Sequence, residues 1–205
     1  MGFDKLMAPL RGVSVLARSL GAFQDTACVD RIVLVCAASR VEEFQALADS
    51  FSKLISVVPG GRERKDSVTQ GLLQLAGDGF VAVHDAARPL VTPAMITRCF
   101  AAAQGRGAAA CGEPATDSMH RVDEHSVATA TVPRENLWRM QTPQMARRDI
   151  LLAALNQSGS FTDEVSALVA AGQKVEIVSA GRRNFKITFP GDLLLAEAIL
   201  DLPDF

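Results

Sequence analysis

Four segments of the chain set charged side chains beside glycine, alanine or a strand end, a setting in which proteins grip phosphate. The most informative is Val81 to Pro89, VAVHDAARP. An apolar strand ending in a polar turn puts Asp85 at the carboxyl edge of a sheet, where open α/β folds collect ligands. A carboxylate there can hold magnesium between the phosphates of a nucleotide. Ala86 and Ala87 let a backbone or ligand come close, and Arg88 offers a planar fork for a phosphate or a neighbouring carboxylate. The plain alternative is an aspartate that caps the next turn.

The second segment is Pro59 to Ser67, PGGRERKDS. Gly60 and Gly61 permit close backbone contacts, Arg62, Arg64 and Lys65 add positive charge, and Ser67 can hydrogen-bond a base. The same residues also make a glycine turn before a helix capped by Asp66 or Ser67. The third is NFKIT, 184–188, where burying Lys186 between apolar neighbours is costly unless its ammonium reaches an anion. On an exposed edge, Lys186 is an ordinary surface lysine. The fourth is Pro133 to Gln144, in which Arg134 follows a candidate hairpin and Thr142-Pro143-Gln144 reads as a polar turn. Trp138 in that segment reads as packing, and Thr162-Asp163-Glu164 as a helix start capped by Thr162.

These residues need elements to carry them. Apolar runs at Arg31–Ala37, Leu54–Val58, Phe80–His84, Val175–Val178 and Phe185–Thr188 read as strands, with Ala108–Cys111 as a strand or packed loop. Helical spacing recurs at Val13–Phe23, Val41–Phe51, Asp66–Leu75 and from Thr92 or Pro93 to about Ala103. It returns at Arg147–Asn156, Thr162–Ala171 and from Pro190 or Asp192 to before Pro203. This alternation predicts a single α/β domain over 1–205 with a mostly parallel sheet. Residues 118–132 alternate loosely around Asp123-Glu124-His125, which suggests a projecting hairpin used in dimerisation.

The bulk numbers narrow the function classes. The 205 residues are 48% hydrophobic with a net charge of −2, enough for a sizeable core and without the basic block that a nucleic-acid backbone requires. No apolar run approaches the roughly 20 residues of a membrane span, and the first ten have no signal-peptide core. Cys28, Cys36, Cys99 and Cys111 form no CxxC pair and read as free thiols of a reducing cytoplasm. Three histidines lack metal spacing, so zinc is not expected.

In order and spacing, PGGRERKDSV (59–68), VHDAARP (83–89), LWRMQTPQ (137–144), TDEVSAL (162–168) and NFKIT (184–188) resemble the 2-C-methyl-D-erythritol 4-phosphate cytidylyltransferase family of non-mevalonate isoprenoid synthesis. The resemblance covers nearly the whole chain, and HDAARP is its most specific part. It implies a Rossmann-like nucleotidyltransferase domain with a β-arm at about 117–142 exchanged across a homodimer. It implies Asp85 as the magnesium ligand and Lys186 as the lysine at the reacting phosphates. Gly61, Ser67 and Ala86 fall where the family holds cytidine and ribose. Arg88, Ser118, Arg134 and Thr142 fall where it grips methylerythritol phosphate, with Arg134 reaching the partner subunit. Ser118 stands where relatives often have threonine, which keeps the hydroxyl. Lys5 in FDKLMAPL resembles a further catalytic lysine, although Asp4 replaces the family's proline.

The family opens with a strand and a glycine-rich loop ending in Arg-Met-Gly, and Met1-Gly2 matches only the end of that loop. An incomplete chain is the expectation, with activity in doubt for the residues given. The implied reaction is direct attack of the substrate phosphate on the α-phosphorus of CTP, with Mg2+ or another divalent cation and no nucleophilic side chain. A ribitol 5-phosphate cytidylyltransferase, or a nucleotide-binding protein without catalysis, are the alternatives. No GxGxxG follows a strand, which ranks a nicotinamide-dependent oxidoreductase last.

Overall fold

The computed structural model describes residues 4–202; the match at Met1-Gly2 lies outside them. The chain opens with a small antiparallel pair, β1 (Pro9–Leu10) and β2 (Val13–Ser14), then α1 (Val15–Gln24) and β3 (Ile32–Cys36). Next come α2 (Val41–Gln45), β4 (Leu54–Pro59), α3 (Arg64–Leu73) and β5 (Phe80–Val83). The long α4 (Pro93–Arg106) leads to β6 (Ala108–Pro114), the hairpin strands β7 (Met119–Val122) and β8 (Ala128–Val132), and β9 (Trp138–Arg147). Finally α5 (Arg148–Leu155), α6 (Glu164–Ala170), β10 (Glu176–Ser179) and α7 (Gly191–Leu200) close the fold.

Local chemistry explains most boundaries. In α4 the Thr92 hydroxyl accepts from Met95 N, Pro93 supplies a preset φ in the first turn, and Gly107 ends the helix at φ 88°. The helix anticipated at Val41–Phe51 stops at Gln45 and tightens into a 3-10 turn, Ala48–Ser50. Phe44 is the one buried side chain of α2, and helices persist chiefly through the face they bury. Neither expected cap is used at the other two sites. Glu63, with Asp66 as its reciprocal partner, caps α3, and Asp163 rather than Thr162 caps α6.

The main sheet has the order β10-β6-β9-β5, with helices on both faces. Ile96, Cys99 and Ala103 of α4 pack on Ala109, Cys111 and Met145 on one side. Leu151, Leu155 and Leu168 pack on Val81, Ala108 and Ala146 on the other, as the period-two alternation of strands requires. Each such leucine, fully withdrawn from water, contributes about 2 kcal/mol. β10 runs parallel to β6, and β3 runs parallel to β4.

β9 corrects the expectation of a mostly parallel sheet. It pairs antiparallel with both β5 and β6, so the main sheet is mixed. The sequence hid this strand because Thr142-Pro143 looks like a turn. Proline removes a ladder donor and belongs at bulges. β9 has such an irregularity: Ala110 pairs with Gln144 and Gly112 with Met140, leaving Gln141, Thr142 and Pro143 opposite Cys111 alone. The Thr142–Pro143 peptide is cis. Phe185 to Thr188, expected as a closing strand, forms no ladder; it is held by one backbone bond from Ile187 N to Ala87 O at 2.8 Å.

No strand-to-strand hydrogen bonds join β3–β4 to the main sheet among the described residues. Between them lies a cleft of about 750 Å³, lined on one side by Val33 and Val35 and on the other by Val81 and Val83. Ser67, Asp85 and Ala86 stand at the same cleft. β7 and β8 form their own two-stranded sheet, in which all but Val132 are exposed.

Candidate active site

Asp85 follows β5 and is the centre of a charge cluster. Lys186 Nζ stands 3.1 Å from its Oδ2, Arg88 Nε 3.4 Å from the same oxygen, and Arg64 Nη1 3.1 Å from Oδ1. Residues 64, 85, 88 and 186 thus meet around one carboxylate, although the sequence spreads them over the chain. Burial by itself would raise the Asp85 pKa, but Lys186 and then Arg64 outweigh it and hold the carboxyl at about 2. It is ionised throughout the physiological range. Three cations against Asp85 and the Glu164 carboxylate that also meets Arg64 leave one positive charge in excess, which suits a polyanion such as a triphosphate.

The bulge in β9 fixes this cluster. The Thr142 hydroxyl accepts from Asp85 N at 3.0 Å and lies 3.0 Å from His84 Nδ1. His84 Nε2 lies 3.3 Å from the Arg88 carbonyl, so it carries the proton, and Nδ1 accepts from Thr142. Burial pushes the His84 imidazole down to about 4, which keeps it neutral in that network. Thr142 is 3% exposed, so its hydroxyl holds the turn that carries Asp85. Substrate contact, which the sequence suggested, would require exchanging one of these bonds.

On either side of Thr142, two buried glutamines anchor the other segments. Gln141 donates to Gly181 O at 3.1 Å and accepts from Asn184 Nδ2 at 3.0 Å, and Asn184 also donates to Thr142 O at 2.8 Å. Arg88 Nη1 donates to the Asn184 carbonyl at 2.8 Å, which ties the Lys186 segment to the Asp85 turn. Gln144 donates to Asp163 at 3.1 Å and accepts from Val165 N at 2.9 Å, fixing the start of α6. There Glu164, 1% exposed, receives the second arm of Arg64 at 2.9 Å. Sequence reasoning missed Gln141, Gln144, Asn184 and the burial of Glu164. The one signal was a pair of polar residues flanking Pro143, taken for a turn.

The glycine turn stands as anticipated. Ser67 Oγ accepts from Gly61 N and donates to Glu63 O, each at 3.1 Å. A Cβ at Gly60 would lie 2.7 Å from Ser67 Oγ, and one at Gly61 would collide with Asp66 Cβ, so only glycine lets the loop close on the helix. The Ala86 carbonyl accepts from Ser19 Oγ at 2.8 Å.

Three expected residues do not join the cluster. Lys5 sits in the turn before β1, anchored nearby by Asp4–Arg40 and by Leu16 N to Leu6 O, with no ion pair to the Asp85 group among the described residues. Ser118 and Arg134 lie at the base of the exposed hairpin, where Arg134 donates to the Thr116 carbonyl. The described residues contain no group of three metal-ligating side chains. Asp85 nonetheless fits magnesium, which takes one or two carboxylates and completes its shell with water and substrate phosphate.

A mixed α/β sheet with an ionised aspartate and surplus cations at one strand end defines a phosphate-handling α/β domain. Comparison with known proteins is more specific. Residues 1–202 match the family model described as 2-C-methyl-D-erythritol 4-phosphate cytidylyltransferase. A curated relative of that name from Ralstonia nicotianae is 40% identical over 96% of this chain and 84% of its own length. One from Dehalococcoides mccartyi is 39% identical over 97% of this chain and 89% of its own. Among solved structures, the Thermus thermophilus enzyme aligns with a TM-score of 0.79 at 30% identity, covering 97% of this chain and 94% of that one. The Francisella tularensis enzyme aligns with a TM-score of 0.82 at 28% identity, covering 96% and 93%. The chain belongs to the 2-C-methyl-D-erythritol 4-phosphate cytidylyltransferase family.

Proposed function

We propose that this chain transfers the cytidylyl group of CTP to 2-C-methyl-D-erythritol 4-phosphate, releasing pyrophosphate. The observation that carries the reading is the meeting of Lys186 and Asp85 at 3.1 Å in a member of this family. A phosphate oxygen of the acceptor attacks the α-phosphorus of CTP, a P–O bond forms there, and the bond to the pyrophosphate oxygen breaks. Two anions must approach for this to happen. One cation about 4 Å from a phosphate charge offsets roughly 4 kcal/mol of that repulsion at an effective dielectric near 20, before desolvation.

Lys186 turns from Asp85 to the α-phosphate, where its charge matches what develops in the transition state. Lys5 approaches the same triphosphate from the turn before β1. Asp85 would hold Mg2+ or another divalent cation, which would supply charge neutralisation at the phosphates. Gly61, Ser67 and Ala86 receive the cytidine and ribose at the 750 Å³ cleft, and Arg88 orients the acceptor beside it, while Thr142 holds the turn that carries Asp85. No side chain forms a covalent intermediate.

Ser118 and Arg134 complete the acceptor site in the partner subunit, and the hairpin is the dimer arm. Its exposed Met119, Val122 and Val127, with Trp138 at the base, give it apolar surface to bury there. A net charge of −2 without a basic block supports a reading without nucleic acid, and no helix among the described residues is long and apolar enough to cross a bilayer. Four free thiols fit a reducing compartment, which supports a cytoplasmic reading. Pyrophosphate release, measured with CTP and each of methylerythritol phosphate and ribitol 5-phosphate, tests the reading. Release with the first acceptor alone supports it; release with ribitol phosphate alone replaces the acceptor, and CTP binding without release removes catalysis.

A further inference from the structure

The Asp85 cluster holds its cations unequally. Lys186 and Arg88 share Oδ2, and Arg88 is pinned by its 2.8 Å bond to the Asn184 carbonyl. Arg64 alone faces Oδ1. Arg64 also differs in having a second carboxylate in hand, Glu164 at 2.9 Å, whose side chain is 2% exposed. Its Nε is buried without a hydrogen-bond partner, so the guanidinium is incompletely satisfied in this pose. An arginine stretched between two carboxylates, with one donor unused, is suited to giving up one of them.

We propose that Arg64 is a positioning residue that occupies Oδ1 of Asp85 when the metal is absent and withdraws onto Glu164 when a divalent cation takes that oxygen. The inference rests on the reading of Asp85 as the metal ligand. Glu164 is the receiving partner because Gln144 fixes the first turn of α6 through Asp163 and Val165 N. A guanidinium and a divalent cation cannot share one oxygen without strong repulsion, so the buried acid compensates the arginine that has moved. Arg64 thereby sets the affinity of the empty site and keeps Asp85 in one rotamer until nucleotide and metal arrive.

Manganese(II) titrated into the full chain without nucleotide, with free metal read by electron paramagnetic resonance, tests this directly. Removing the competing charge in Arg64→Met is expected to tighten manganese binding by about tenfold or more, while Arg64→Lys, which keeps it, stays within about threefold of wild type. Glu164→Gln is expected to weaken binding by about tenfold, and that loss is expected to vanish in the Arg64→Met background, because the acid acts through the arginine. A purely structural Arg64 would lower melting temperature and metal affinity together. Unchanged or weaker binding in Arg64→Met overturns the proposal, as does an equal Glu164→Gln loss in both backgrounds. Should Glu164→Gln not fold, the Met and Lys variants decide it between them. Asp85→Asn separates the two levels: if it leaves manganese affinity unchanged, the metal reading itself falls, and the Arg64 proposal with it. If it abolishes binding while Arg64→Met changes nothing, only the proposal falls.

Discussion

The Asp85 cluster and the β7–β8 hairpin occupy opposite physical regimes of one chain. Around Asp85 almost every polar group is committed: Thr142 to Asp85 N and His84, Gln141 to Gly181 and Asn184, Gln144 to Asp163 and Val165. In the hairpin, Val122 and Val127 are 57% and 58% exposed, and β7 and β8 form a sheet of their own. The difference separates two ways of placing a functional group. The framework of the cluster is preorganised by the chain itself, so only side chains such as Lys186 and Arg64 need to shift when nucleotide and metal bind. Ser118 and Arg134 lie beside a hairpin whose apolar surface gains value only against another surface. Damage to the first region is expected to appear in turnover and stability; damage to the second, in acceptor binding and assembly.

The largest effect expected from breaking this contrast is at Lys186. Lys186→Ala should lower kcat by about 10²- to 10³-fold while shifting the Michaelis constant for CTP by less than about threefold. Steady-state kinetics with CTP varied distinguishes this from a binding role, in which both quantities would move alike. His84 comes next. Its folded pKa, about 4, lies below the ordinary 6.5. Between those values the unfolded chain takes up a proton that the folded chain refuses, so stability is present above pH 6.5 and is lost as pH falls. Full loss amounts to about 3 kcal/mol, and urea unfolding of wild type and His84→Gln at pH 7 and 4.5 should show a shallower pH dependence in the variant.

A smaller effect is expected at the hairpin. Arg134→Ala should raise the Michaelis constant for the acceptor by about tenfold, equivalent to about 1.4 kcal/mol, with that for CTP unchanged. An unaltered acceptor constant would remove Arg134 from the site. Val122→Asp should change the folding stability of the protomer by less than about 0.5 kcal/mol yet shift sedimentation toward monomer. If dimer mass persists at all concentrations, the contrast blurs, because the hairpin would then be surface and not arm.

Much of this was legible in the residues themselves. The strand ending at Asp85 follows from an apolar run stopped by a polar turn, and α4 follows from Thr92, Pro93 and Gly107, whose conformational preferences are local. The glycine turn was legible because only glycine tolerates the approach of Ser67 and Asp66. Turn and cap chemistry lies within a few residues, so a linear reading reaches it. Where the candidates were equally local, as with Thr162 and Asp163, the first choice was the wrong one, since backbone geometry selects between neighbours.

Proline at 143 concealed β9, because a linear reading weighs the missing donor and cannot see the bulge that tolerates it. With β9 went the sheet's mixed character, the roles of Gln141 and Gln144, and the reason Thr142 is buried. The family was determined by the sequence alone, since residue type and order carry it. Tertiary structure alone decided that Lys186 reaches Asp85 from a segment without a strand ladder, and that Arg64 bridges two carboxylates, one of which, Glu164, is a hundred residues from it in sequence. Those facts depend on distances between segments, which long-range packing sets and no local preference encodes.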